Sequence, residues 1–172
     1  MSATFDTRED ELSHAIGQFF IKWSWLEDAL TYLLESLLNV DEQFCGLLHT
    51  HLSIDSKLTL LTIIGEEKEQ KGLLEYERDY LKRLISDIRP IKNHRNILAH
   101  QPLIDLFGNF PQSDELGPIA ALGIRVKKSG KSDVPIASLD QTKEYATKLV
   151  LIEKGVSELA QSICMQLNRR VK

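Results

Sequence analysis

The feature that most constrains the fold is a long stripe of apolar residues between Leu12 and Leu37. Its members recur at alternating spacings of four and three through about four heptads: Leu12, Ile16, Phe19, Trp23, Leu26, Leu30, Leu33 and Leu37. Because 3.6 residues make one turn, this spacing places a continuous apolar face along one long helix. Phe20, Leu34 and Leu38 widen that face, which is typical of a bundle helix with more than one neighbour.

Two tryptophans in this helix fall on different faces. Residues that are two positions apart lie about 200° apart around a helix, so Trp23 and Trp25 cannot share the stripe. We predict that Trp23 lies in the core and that Trp25 packs elsewhere. An ordinary second contact between helices and a contact between subunits are both open for Trp25.

Four further helices are predicted from apolar periodicity and capping residues. In chain order they run from Asp41 to about His49, from Ser53 or Asp55 to about Gly65, from Leu73 to about Ala99, and from Ser138 or Asp140 to about Arg170. The fourth helix of the chain should stop at about His100, because Pro102 disfavours helical geometry at Gln101.

Residues 119–136 contain two extended stretches around a turn, which predicts a small β-hairpin-like insert before the last helix. A chain of 172 residues has the length of one domain with a real core. The predicted fold is therefore all-α, an antiparallel bundle of four to five helices, in a single domain over residues 1–172.

The composition argues against several classes of protein. The chain has no apolar run of about 18 residues, and its acidic start lacks the apolar segment of a signal peptide, so neither a membrane partner nor export is expected. Cys45 and Cys164 stand alone in apolar helical surroundings, which predicts reduced, buried thiols in a cytoplasmic protein. No Cys/His spacing resembles a zinc site, so neither a metal nor a cofactor is expected.

The charges are distributed unevenly along the chain. The net charge of −4 argues against a protein that coats nucleic acid generally. Residues 1–42 carry nine acidic and two basic side chains, whereas residues 81–100 carry five basic and one acidic, and residues 124–131 carry four basic and none acidic. A binding surface for phosphates and ordinary solvated faces both remain open for the two basic segments.

The segment with the most chemistry is residues 93–100, Asn-His-Arg-Asn-Ile-Leu-Ala-His, at the end of a predicted helix. Histidine can move protons near pH 7, and arginine can bind a phosphate through two hydrogen bonds. A histidine could take the proton from an RNA 2′-hydroxyl, whose oxygen attacks the adjacent phosphorus while Arg95 stabilises the growing negative charge. The partner subunit's His100 could protonate the leaving 5′ oxygen, giving a 2′,3′-cyclic phosphate and a 5′-hydroxyl without a metal.

Helical geometry tests this mechanism. Asn96 and His100 are four residues apart and share a face, whereas Arg95 and His100 are five apart and lie about 140° around a regular helix. The two could meet one phosphate only if the helix loosens near its end or if two subunits face each other. Structural roles also stay open: Arg95 in an ion pair, Asn96 as a surface amide, and His100 as a helix C-terminal cation.

These residues resemble the signature of the HEPN superfamily (higher eukaryotes and prokaryotes nucleotide-binding domains). That signature is an arginine, commonly a polar residue, and a histidine after about four to six positions, and Arg95, Asn96 and His100 match it. The long first helix with its Trp-Ser-Trp-Leu-Glu segment at 23–27 belongs to the wider resemblance. The resemblance implies a small helical bundle, outside whose minimal form the segment at 119–136 lies.

The resemblance implies a metal-independent endoribonuclease that acts on RNA as a homodimer with the motif at the interface. It implies Arg95, His100 and Asn96 as catalytic residues. His94 and Lys92, in the same basic segment, are predicted as substrate-binding groups. Such proteins are often toxins or antiviral defence factors, so an antitoxin protein is a candidate partner. Other members are inactive, and the alternative is a non-catalytic helical module that binds a protein or nucleotide partner. The acidic balance favours the alternative, because RNA binding draws on phosphate neutralisation.

Overall fold

Five helices make up the described structure. The computed structural model describes residues 3–39, 42–67, 73–100 and 138–170, with side chains for 11–39, 44–67, 73–99 and 138–167. The helices are α1 (Ala3–Leu38), α2 (Glu42–His51), α3 (Ile54–Glu66), α4 (Glu75–His100) and α5 (Leu139–Arg170). The predicted all-α class is confirmed, since these ranges contain no strand. The β-hairpin-like insert predicted at about 119–136 lies outside the described residues.

Local side-chain chemistry accounts for the helix ends. Asn39 follows α1 with a φ of 48°, a left-handed conformation that asparagine tolerates and that ends a helix. Of the two candidate caps for α3, Ser53 is the one used, and its side chain accepts a hydrogen bond from the Ser56 amide at 3.2 Å. Ser138 caps α5 in the same way through the Gln141 amide at 3.1 Å. Each serine satisfies a backbone donor that the first helical turn leaves unpaired.

The helix directions follow from contacts at their two ends. Near the beginnings of α1 and α5, Lys143 Nζ lies 3.4 Å from Glu11 Oε1. Near their ends, Cys164 Sγ lies 3.2 Å from Ser36 Oγ, so these two helices are parallel neighbours. In contrast, α4 is antiparallel to α5, because Glu77 near the start of α4 contacts Ser162 near the end of α5, and His94 near the end of α4 contacts Thr142 near the start of α5. The predicted antiparallel packing therefore holds for α4 and α5, whereas α1 and α5 are parallel.

The core lies along the predicted stripe of α1. Phe19 and Trp23 are 0% and 2% exposed, and their rings stack with centroids 6.4 Å apart. Burial of side chains of this size stabilises the fold by about 1.5–3 kcal/mol each. Trp23 is therefore a core residue as predicted. Trp25 is 55% exposed, so no second helix of the described structure buries it.

Two buried charged residues tie the helices together. Lys57 of α3 is 5% exposed, and its ammonium donates to Thr31 Oγ1 of α1 at 2.7 Å. Glu77 of α4 is 2% exposed and accepts hydrogen bonds from the side chains of Ser162 and Gln166 of α5, both at 2.8 Å. Because buried polar groups need partners, these bonds fix the register of α3 against α1 and of α4 against α5.

Within the described ranges, no helix is both long and apolar enough to cross a bilayer. The two cysteines are half-buried, and no disulfide joins them. The expected burial of Cys164 is thus only partial, and its sulfur faces the hydroxyls of Ser36 at 3.2 Å and Tyr32 at 3.7 Å.

Candidate active site at the end of α4

The predicted site residues occupy the last two and a half turns of α4, from Lys92 to His100. The helix reaches this point without a break, although Pro90 lies inside it. Its last described residue is His100, and Pro102, from which the end of the helix was predicted, lies outside the described residues. Four of the five predicted residues have described side chains, and these range from buried (His94) through half-buried (Lys92 and Arg95) to exposed (Asn96).

His94 lies inside the bundle. It is 2% exposed and packs edge-to-face against Phe19 of α1 and Tyr145 of α5, with ring centroids 5.4 Å and 5.0 Å away. Its Nε2 lies 3.0 Å from Thr142 Oγ1. The predicted substrate-binding residue His94 is therefore placed among core side chains, where it orients the end of α4.

A chain of hydrogen bonds fixes the tautomer of this imidazole. The Thr142 hydroxyl donates to the Ser138 carbonyl at 2.9 Å, so its oxygen is left to accept from His94 Nε2–H. Burial lowers the pKa of His94 below its ordinary value, because the low-dielectric surroundings disfavour the cation. His94 is thus a neutral imidazole that donates a hydrogen bond, and it is not the proton donor of the expected chemistry.

Arg95 lies at the edge of the core. Its guanidinium carbon is 6.0 Å from the centroid of the Phe20 ring, within the range of a cation–π contact. One terminal nitrogen lies 3.5 Å from Asn96 Oδ1. Its Nε is buried and has no hydrogen-bond partner among the described residues. The guanidinium of Arg95 therefore lies against Phe20 of α1, and no carboxylate of the described structure forms an ion pair with it.

Asn96 lies on the outer side of the end of α4. Asn96 is exposed. His100 is the last residue of α4, and its side chain lies outside the described part of the structure. Because α4 remains α-helical through His100, the local loosening that would bring Arg95 and His100 together does not occur. The separation of about 140° around the helix therefore stands.

Lys92 belongs to a different surface, the one between α3 and α4. Its ammonium forms an ion pair with Asp55 near the start of α3. The Lys92 side chain is 19% exposed and that of Asp55 is 66% exposed. Asp55 was not predicted as a site residue, because its approach to Lys92 depends on how two helices pack and leaves no local pattern.

Two further observations complete the description of the site. Within the described ranges, no group of three or more His, Cys, Asp or Glu residues is arranged to hold a metal ion. No protein-family model matches the chain, and no similar protein was found among curated proteins or solved structures. The fold and the site define the class as an all-helical bundle with an arginine, an amide and a histidine at the end of one helix.

Proposed function

We propose that this protein is a metal-independent endoribonuclease of the HEPN type. It cleaves RNA by attack of a 2′-hydroxyl on the adjacent phosphorus and releases a 2′,3′-cyclic phosphate and a 5′-hydroxyl. The observation that carries the proposal is the environment of Arg95. Its guanidinium lies over the Phe20 ring with its Nε buried and unpaired, and among the described residues no carboxylate forms an ion pair with it.

An arginine in this setting suits a phosphodiester. A guanidinium that is already held in place loses little rotamer freedom when it binds two phosphate oxygens. Partial burial also strengthens its electrostatic interaction with the charge that grows on the nonbridging oxygens in the transition state. Asn96 lies beside it and supplies an exposed amide that can orient the substrate.

His100 is the group proposed to move protons. It removes the proton from the 2′-hydroxyl, and the partner subunit's His100 donates a proton to the leaving 5′ oxygen. The five-residue spacing on an intact helix is the reason for placing the site between two subunits. The proposal thus includes a homodimer with the ends of both α4 helices at its interface.

His94 takes a supporting role in this proposal. Its neutral ring joins α1, α4 and α5 through Phe19, Thr142 and Tyr145. Arg95 follows it directly in the chain, so the packing of His94 sets the direction in which Arg95 leaves the helix. His94 is therefore a positioning residue, and the proton transfers are left to His100.

The experiment is an RNA cleavage assay with purified protein in the presence of a chelator. His100→Ala and Arg95→Ala are each expected to reduce cleavage by at least about 100-fold, the usual size of a general acid–base or charge-stabilising contribution. The products should carry cyclic phosphates, which are detected by mass spectrometry of the 3′ ends. Circular dichroism and size-exclusion chromatography should show that both variants keep the fold and the oligomeric state of the native protein.

His51→Ala is the matched control, because His51 is an exposed histidine at the end of another helix. It should cleave like the native protein. Cleavage that survives in His100→Ala would show either another catalytic group or a contaminating nuclease, and in both cases the proposal would be wrong.

One observation favours the alternative function, a non-catalytic module that binds a partner. Ile21, Trp25 and Tyr32 of α1 are 48%, 55% and 45% exposed, and their spacings of four and seven residues place them on one helix face. Exposed apolar surface of this kind commonly marks an interaction site. Two results together would support this alternative. The native protein would leave RNA intact, and Trp25→Ser would weaken its association with a partner.

A further inference from the structure

A groove runs between α3 and α4 beside the proposed active site. Its volume is about 360 Å³, and its polar lining comes from Asp55, Thr59 and Thr62 on one helix and Arg89, Lys92 and Asn93 on the other. This volume lies at the lower end of the range for ligand sites. The groove is thus large enough for one small polar ligand or for one unit of a polymer.

The α4 wall of the groove leads into the motif. Arg89, Lys92, Asn93 and Asn96 follow one another at spacings of three, one and three residues, which places them on one face of the helix. With a rise of 1.5 Å per residue, this face extends over about 10 Å. A ligand in the groove that continued along α4 would therefore reach Asn96.

The positive charges of the groove are placed for an anion. Arg89 is exposed, and none of the carboxylates in the described structure forms an ion pair with it. Lys92 is held by Asp55, whose side chain is 66% exposed. An exposed ion pair of this kind contributes at most about 1 kcal/mol, so a phosphate can replace Asp55 as the partner of Lys92.

The α3 wall offers hydrogen-bond acceptors and an apolar contact. The Thr59 and Thr62 hydroxyls donate to the carbonyls of Asp55 and Leu58, both at 2.8 Å. Their oxygens are therefore free to accept from a ligand hydroxyl. Ile63 lines the same groove and is 57% exposed, which gives a base or a sugar ring an apolar surface to lie against.

We infer that this groove holds a nucleotide of single-stranded RNA next to the phosphate that is cleaved. Arg89 and Lys92 bind its phosphate, the threonine oxygens accept from ribose hydroxyls, and Ile63 contacts the base. The combination of a basic track with an apolar contact is typical of proteins that bind single strands. The inference rests on the proposed function, because the RNA that occupies the groove is taken to be the substrate.

Asp55 limits the affinity of the groove for RNA in this arrangement. It neutralises Lys92 when the groove is empty, and it repels the phosphate when RNA enters. Removing its charge should therefore strengthen binding, whereas removing Arg89 should weaken it. A groove residue with only a structural role would not give opposite effects at these two positions.

The test measures binding of a fluorescein-labelled single-stranded RNA of about 12 nucleotides, a length that covers one site of this kind. All proteins carry His100→Ala, so that the RNA stays intact. Arg89→Ala should weaken RNA binding about tenfold, since it removes a charge-assisted contact. The logarithm of the association constant should also fall less steeply with the logarithm of the salt concentration, by about 0.7 in slope. Asp55→Asn should strengthen binding about two- to fivefold, the size of the exposed ion pair that it removes.

Arg83→Ala is the control, because it removes the same charge from an exposed position of α4 outside the groove lining. It should bind RNA like the parent protein. If Arg89→Ala and Asp55→Asn also bind like the parent, or if the parent binds no RNA, the inference is wrong. The proposed nuclease would still stand if native protein cleaves RNA. If native protein cleaves nothing but the two groove variants shift RNA binding as expected, the nuclease fails and the groove remains a site for single-stranded RNA.

Discussion

Protonation of His94 is predicted to destabilise the bundle in mild acid. The imidazole is 2% exposed between Phe19 and Tyr145, and burial lowers its pKa. Among the described residues, its one polar contact is the Thr142 hydroxyl at 3.0 Å, which already accepts from Nε2–H. A second proton on the ring would place a positive charge among aromatic side chains without a carboxylate to balance it.

The sign and size of the effect follow from linkage. In the unfolded chain the pKa of a histidine is about 6.5, and in the folded protein that of His94 is lower. Stability is therefore fully present above about pH 6.5 and is lost as the pH falls toward the folded pKa, because only the unfolded chain takes up the proton there. The loss is at most about 1.4 kcal/mol per pH unit, and it stops below the folded pKa.

Urea unfolding followed by circular dichroism, at pH values between about 5 and 8, measures this loss. The comparison is with His94→Phe, which keeps an aromatic ring at this place but cannot be protonated. At neutral pH the free energy of unfolding of His94→Phe should be lower by about 1 kcal/mol, because the hydrogen bond to Thr142 is lost. The Thr142 hydroxyl itself keeps its bond to the Ser138 carbonyl. On acidification, the difference in the free energy of unfolding between the native protein and His94→Phe should shrink. It should then reverse in sign if the pKa of His94 in the folded protein is low enough.

The free energy of unfolding plotted against pH gives one curve for the native protein and one for His94→Phe. The difference between these curves isolates the effect of His94, since every other titrating group is present in both proteins. Parallel curves for native protein and His94→Phe would refute the reasoning. They would mean that the buried ring takes up a proton as easily as it does in the unfolded chain.

Two further changes test the packing of the bundle. Gly155→Ala places a Cβ 2.4 Å from the Tyr80 hydroxyl oxygen, whereas Gly17→Ala meets nothing within 4 Å. Thermal unfolding should therefore show Gly17→Ala stabilised by about 0.5–1 kcal/mol. Gly155→Ala should be less stable than that variant by about 1 kcal/mol, because the Tyr80 side chain must move aside and Leu84 lies 3.2 Å away. Equal effects would contradict the observed contact. Glu77→Gln turns one of two buried acceptor oxygens into a donor and should cost about 1–3 kcal/mol in urea unfolding, with Ser162→Ala as the milder comparison.

The apolar pattern of the sequence predicts the helices well because that pattern is local. The stripe of α1 follows the helical period, and its members are buried with the exception of Ile16, which is half-buried. The choice of Ser53 over Asp55 as the cap of α3 was open, since both residue types can accept from a backbone amide. In the structure Ser53 is the cap because it directly precedes α3, whereas Asp55 lies within the first turn.

The direction of the α1–α5 contact illustrates what the pattern leaves open. Both helices have an apolar stripe, and a stripe can pack against a parallel or an antiparallel neighbour. The contacts of Lys143 with Glu11 and of Cys164 with Ser36 fix the parallel arrangement. They join residues about 130 positions apart, whose pairing no local rule can supply. The Asp55–Lys92 pair was missed for the same reason.

The burial of His94, in contrast, was readable from the sequence. His94 is three residues after Ile91 and four before Leu98, so it continues the buried face of α4 at helical spacing. The imidazole suggests a role in catalysis or binding, but its helical spacing from apolar residues indicates a core position. For a histidine within an apolar stripe, the position on the helix is the better predictor of burial.

That position also explains how the site is built. Consecutive residues are about 100° apart around a helix, so a buried His94 forces Arg95 to the boundary of the core and Asn96 to the surface. The buried ring is clamped between α1 and α5, and this clamp sets the direction of the two residues that follow. The chemistry proposed for Arg95 therefore depends on a histidine that touches no substrate. The same helical geometry keeps His100 away from Arg95 within one chain, which is why the proposed active site needs a second subunit.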